Sequence, residues 1–161
     1  MLLVSDLTFD SVDELLGKYG LSIELIPDEQ TIKGSYWGEP EAGIIGDRVF
    51  VRGDTPVHSL LHETCHIVCM TPQRRQALKR DAGGNDLEEC AACYLQIVLA
   101  DELPRVGKER LMQDMDDWGY SFRLGSTRRW FDEDAADAQA WLRTEGLLQA
   151  DNRPAMQLRQ S

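Results

Sequence analysis

Residues 62–66 read His-Glu-Thr-Cys-His, and the only histidines in the chain, His58, His62 and His66, all fall within this short stretch. On a helix, residues four apart share a face. His62 and His66 can therefore converge on one ion, with Glu63 beside them to take a proton from a water at that ion. The flanks supply the helix that this spacing needs. Thr55-Pro56 reads as its start, with Thr55 capping free N–H groups and Pro56 fitting the first helical position. Thr71-Pro72 ends it after Met70. At about 100° per residue, Val57, Leu60, Leu61, Thr64, Ile67 and Val68 share an arc suited to a core. His58, Cys65 and Cys69 fall with His62 and His66 on the opposite arc. His58 precedes His66 by roughly 12 Å of helix axis, too far for all three histidines to bind one ion. It reads as a structural or cleft polar group, because a His58/His62 pair would leave Glu63 without a task.

A catalytic zinc takes three protein ligands and keeps one position open. No histidine follows His66, and Cys69 and Pro72 occupy the Gly and third His positions of the longer HExxHxxGxxH pattern. The third ligand is then a carboxylate or a thiolate. A second strong helical pattern, at 86–101, carries Glu88 and Glu89. Glu88 falls beside Ala92, Leu95 and Leu99 on the apolar face, whereas Glu89 falls nearer Gln96 on the polar side. A carboxylate facing a core needs a partner, and a metal is one. This reading takes Glu88 as the third ligand and keeps Glu89 as the alternative. A solvated acidic helix start, favoured by the helix dipole, is the non-functional reading. Cys65, Cys69, Cys90 and Cys93 could form a four-thiolate site. Cys90-Ala91-Ala92-Cys93 lies inside a helix, however, so packing as small core residues is preferred.

The remaining pattern is a short amphipathic helix at 8–19, a strand at 23–26 and a Gly- and Pro-rich segment at 34–46 that forms turns or a loose edge strand. A clear strand follows at 48–52. Beyond the histidine helix come a basic helical turn at 73–80, a Gly83-Gly84 break, and helices over 107–118 and 127–148. This order predicts an α+β domain: a small, mostly antiparallel sheet packed on the HExxH helix and a second ligand-bearing helix, with a helical C-terminal half. The 161 residues suit one domain over 1–150, with 151–161 expected to be a flexible tail.

Lys and Arg number 17 against 28 Asp and Glu, a net charge of -11, which disfavours nucleic acid and anionic membranes as partners. No run approaches the ~20 apolar residues of a membrane span. The start, Met1-Leu2-Leu3-Val4-Ser5-Asp6, lacks a basic leader, so a cytoplasmic location with reduced thiols is expected. Asp114, Asp116, Asp117, Asp132, Glu133, Asp134 and Asp137 read as a solvated acidic face that could instead select basic peptides. Trp118, Tyr120, Phe122, Trp130, Phe131 and Trp141 read as packing for the C-terminal helices. Tyr94, Tyr120, Arg123 and His58 are the polar candidates for stabilising a transition state, and spacing does not choose among them.

His62-Glu63-x-x-His66, followed by Glu88-x-x-Ala91-x-x-Tyr94 and the apolar Val98-Leu99, resembles the gluzincin metallopeptidases, most closely the small ImmA/IrrE-type proteins. The resemblance covers about residues 45–104. It departs from that family at Thr64-Cys65, where Leu-Gly is usual, and at Ala92, where Asn or Asp is common. It implies a zincin-like fold with His62, His66 and Glu88 as Zn2+ ligands and Glu63 as general base. It also implies a peptide or protein substrate lying along the edge strand before the helix. The expectation is a zinc metallopeptidase. The alternative is a zincin-like zinc-binding regulatory or interaction protein without turnover.

Overall fold

The computed structural model describes residues 1–36, 38–79 and 83–161. Helix α1 (Phe9–Lys18) starts where the Thr8 hydroxyl accepts the Ser11 N–H, and it buries Val12, Leu15 and Leu16. The chain then forms β1 (Ser22–Leu25), β2 (Gly43–Ile45) and β3 (Arg48–Val51), in the spatial order β1-β3-β2. β2 and β3 are an antiparallel pair with Ile44 opposite Val49, while β1 runs parallel to β3 with Ile23 opposite Val49. The sheet is therefore mixed, not mostly antiparallel. The cause is the long 26–42 connection, which carries the chain back before the β2–β3 hairpin and allows a parallel pairing.

Helix α2 (Val57–Cys69) carries the histidines and ends at Met70. It begins one residue later than the Thr-Pro pair predicts. Pro56 is the cap residue, and the Thr55 hydroxyl accepts the Arg52 N–H instead of capping the helix. The Val57 N–H is taken by the Leu2 carbonyl at 3.0 Å, so the N-terminal segment serves as the cap. All of α2 is buried except His62 and Glu63, which are half-buried. The arc holding His58, Cys65 and Cys69 is thus a second packing face, pressed chiefly against α4 (Asp86–Ala100). Before α4 comes the short α3 (Pro72–Ala77); Arg80, within the basic segment read at 73–80, lies outside the described residues.

Helix α4 opens at Asn85, whose side chain accepts the Glu88 N–H, and every residue from Ala91 to Ala100 is buried. Helices α5 (Gly107–Trp118), α6 (Thr127–Glu133) and α7 (Ala136–Thr144) complete an α+β fold, with α5 and α7 packed on α4. The 127–148 pattern is two helices, broken around Asp134 and Ala135. Residues 151–161, expected to be a flexible tail, lie back on the core. Arg159 donates its N–H to the Val68 carbonyl at 2.9 Å and its guanidinium to the Cys69 carbonyl at 3.2 Å. It also pairs with Glu145 at 3.2 Å and covers the Trp141 ring. Those contacts occupy carbonyls at the end of α2 that helix geometry leaves unpaired. Among the described residues, no helix is long and apolar enough to cross a membrane.

Candidate metal centre

Helices α2 and α4 face each other so that three side chains meet. His62 Nε2 and His66 Nε2 are 3.0 Å apart, with rings at 90°. One carboxylate oxygen of Glu89 lies 3.0 Å from His62 Nε2, and the other lies 2.9 Å from His66 Nε2. Donors held at 2.0–2.1 Å around a tetrahedral zinc would be roughly 3.3 Å apart, so the cluster is close to that size. Among the described residues this is the one group of three or more His, Cys, Asp or Glu side chains that converges in this way.

The carboxylate that meets the two histidines is Glu89, not Glu88. Glu88 is buried, as its place on the apolar face predicts, but its partners are guanidinium groups. Arg74 donates to it at 2.8 Å, and Arg159 lies 3.7 Å away. Its need for a counter-charge is met within the chain, and it is not part of the group formed with the histidines. Glu89 stands one residue, about 100°, further round the helix.

The chemistry of the donor set favours a cation at this point. The Gln96 amide is oriented by its Nε2, which donates to the His58 carbonyl at 3.2 Å, so its Oε1 faces His62 Nδ1 at 2.6 Å. His62 must then donate from Nδ1. In the neutral ring, its Nε2 is a bare lone pair, 3.0 Å from a carboxylate oxygen that is also an acceptor. Only a positive charge between them, a metal ion or a proton, makes that contact favourable. Burial opposes ionisation of Glu89, but hydrogen bonds and proximity to His62 and His66 outweigh it and hold the carboxyl well below the usual range. His66 Nδ1, by contrast, is buried without a hydrogen-bond partner among the described residues.

Glu63 shares a cavity of about 410 Å³ with His62, Glu41, Ser59, Trp118, Gly119 and Tyr120. Burial pushes its carboxyl pKa up, against the pull of the two imidazoles, which suits a group that must pick up and release a proton. Gly119, in a left-handed conformation (φ 112°), ends α5 and turns the chain so that Tyr120 follows into this cavity. The Tyr120 ring is 5.8 Å from that of His62, and its hydroxyl lies 3.1 Å from His58 Nδ1. Burial pushes its pKa up to about 12, so the phenol stays a hydrogen-bond donor. The other candidates are placed elsewhere. Tyr94 hydrogen-bonds Asn152, Arg123 pairs with Asp134, and His58 is buried behind Tyr120 and Trp118.

The edge strand does not offer a free ladder. The outward N–H groups of Ala42, Ile44 and Gly46 are already taken by the Ser59 hydroxyl, the Gly34 carbonyl and the Leu78 carbonyl. Gly34 and Gly43 allow this closeness, because a Cβ on Gly43 would overlap the Lys33 carbonyl oxygen. A substrate would therefore meet the site through the cavity, not by pairing with β2 at these three positions.

The cysteines are free thiols. Cys65, Cys69 and Cys93 are buried and Cys90 is half-buried, and burial raises the pKa of Cys65 and Cys69 far enough to keep them protonated. The acidic band is partly structural: Asp114 is buried and accepts from Leu2 and Arg110, and Asp116 caps α6 through Thr127. Trp118 departs from the packing role read for the aromatics, being 43% exposed on the cavity wall. Gln96, Glu41, Ser59 and Trp118 are the site residues that sequence reasoning passed over.

The architecture is thus an α+β fold in which two helices bring two imidazoles and one carboxylate together. No protein-family model, curated protein or solved structure matches the chain.

Proposed function

We propose that this chain is a zincin-like zinc hydrolase that cleaves peptide bonds, with His62, His66 and Glu89 as the metal ligands. One observation supports it above the others: two imidazole Nε2 atoms and the two Glu89 carboxylate oxygens converge within about 3.0 Å, on the helix whose HExxH pattern also supplies Glu63. Zinc, when bound, supplies a Lewis acid that makes water nucleophilic near neutral pH and polarises a carbonyl. Glu63 takes the proton of the attacking water and delivers it to the departing amine nitrogen. Tyr120 lines the same cavity, with its hydroxyl 3.1 Å from His58 Nδ1, and is the phenol that would donate to the oxygen on which negative charge develops. Gln96 holds His62 in the tautomer that leaves Nε2 free.

Purified protein is expected to take up one equivalent of zinc and to cleave members of a synthetic peptide library. Glu63→Gln should keep the zinc and lose roughly 10²–10⁴-fold in hydrolysis. Unchanged hydrolysis in that variant would overturn the mechanism. Zinc retention without cleavage of any peptide would replace it with the regulatory or interaction reading.

A further inference from the structure

We infer that Glu41 and Trp118 form a subsite that binds a cationic group of the substrate beside the metal centre. The cation is an ammonium or guanidinium, from a Lys or Arg side chain or from a free peptide N-terminus. The inference rests on the zinc-hydrolase reading of the same cavity and deepens it.

Glu41 is not a loose surface acid. Its Oε2 accepts the Ser59 hydroxyl at 2.6 Å, and the Ser59 Oγ in turn accepts the Ala42 N–H at 2.9 Å. Ser59 is itself buried on α2, one turn before Glu63, so the carboxylate is fixed to the helix that carries the reacting groups. It lines the same cavity as His62 and Glu63. Among the described residues it forms no ion pair, and no Lys or Arg is among the described cavity-lining residues; the one imidazole there, His62, is engaged by Glu89 and Gln96. The other carboxylates here have tasks: Glu89 meets the histidines, and Glu63 handles the proton. Glu41 is the negative charge left over. Trp118 rests on the His58 ring at 5.0 Å and exposes 43% of its surface on the cavity wall, giving an aromatic face for a cation. The chain's net charge of -11 would attract such a substrate from a distance.

The test uses the zinc-loaded protein and three hydroxamates that chelate zinc. They are Nα-acetyl-lysine hydroxamate, Nα-acetyl-norleucine hydroxamate, and norleucine hydroxamate with a free α-amine. Titration calorimetry should show at least one cationic probe binding roughly tenfold more tightly than the neutral one. Preference for the lysine probe identifies a side-chain cation; preference for the free amine identifies a peptide N-terminus. Glu41→Gln, which keeps an acceptor for Ser59, should reduce the ratio to within about twofold, and Glu41→Lys should reverse it. Equal binding of all three probes by the wild type, or a preference that survives Glu41→Gln, overturns the subsite. Those outcomes leave the metal reading standing if zinc is bound. Failure to take up zinc overturns both.

Discussion

Two polar clusters flank the first turn of α4, built on adjacent residues and opposite in logic. Around Glu88 the chain supplies the counter-charge itself, with Arg74 at 2.8 Å and Arg159 at 3.7 Å. Around Glu89 the neighbours are His62 and His66, whose Nε2 atoms are lone pairs or shared protons according to tautomer. The first cluster is complete in charge and joins α3, α4 and the C-terminal segment. The second needs a proton or a metal ion between its imidazoles and carboxylate, and it opens beside a cavity. A buried carboxylate is therefore not evidence of a metal site until its nearest donors are identified.

The largest effect that could break this contrast is on zinc affinity. Glu89→Ala should weaken zinc binding by more than ~100-fold, beyond what loss of an outer partner costs, whereas Glu88→Ala should change it by less than about threefold. Competition titration against a chromogenic chelator reads both, and the reverse order would return the ligand role to Glu88. Next comes the support of the second cluster. Gln96→Leu leaves His62 Nδ1 without its acceptor and should lower zinc affinity by roughly 10–100-fold in the same assay, with little change in far-ultraviolet circular dichroism.

The first cluster should answer in stability instead. Glu88→Ala removes the carboxylate from two guanidinium groups, one of them largely buried, and should cost about 2 kcal/mol in urea unfolding of metal-free protein. A cost near zero would mean that the pairing holds nothing together. The smallest effect concerns His58, on α2 with the other histidines but outside both clusters. Burial, with the nearby His62 adding to it, lowers its pKa from the usual 6.5 to about 4. The unfolded chain thus binds the proton first on acidification, and stability falls as pH drops from about 6.5 towards 4. Between pH 8 and pH 5.5 the loss from this group is about 1.4 kcal/mol. His58→Gln should flatten that part of the urea-midpoint profile.

Much of the fold is written locally. The ends of α2 and α4 follow from Pro56, Pro72 and Asn85 and from apolar spacing, and the HExxH pair needs only the helical repeat. With no imidazole beyond residue 66, a carboxylate at the head of α4 is the side chain that meets His62 and His66. What eluded sequence reasoning was non-local. Helical periodicity places Glu88 on the buried face, where it lies, but its arginines are 14 and 71 positions away in the chain, where no periodicity points. The signal for Glu89 was present in Gln96, a buried polar residue two turns along the same face. The parallel β1–β3 pairing depends on the path of a Gly- and Pro-rich connection. The docking of 151–161 depends on Arg159 finding carbonyls of α2.

His62 and His66 stand on α2, and Glu89 stands on α4. An ion held there would be a cross-link between the two helices that form the centre of the molecule. Anything that binds the folded chain alone raises its melting temperature with ligand concentration. Heat resistance would then report occupancy, and a thermal-shift scan across divalent metals would rank them for this site without any substrate in hand.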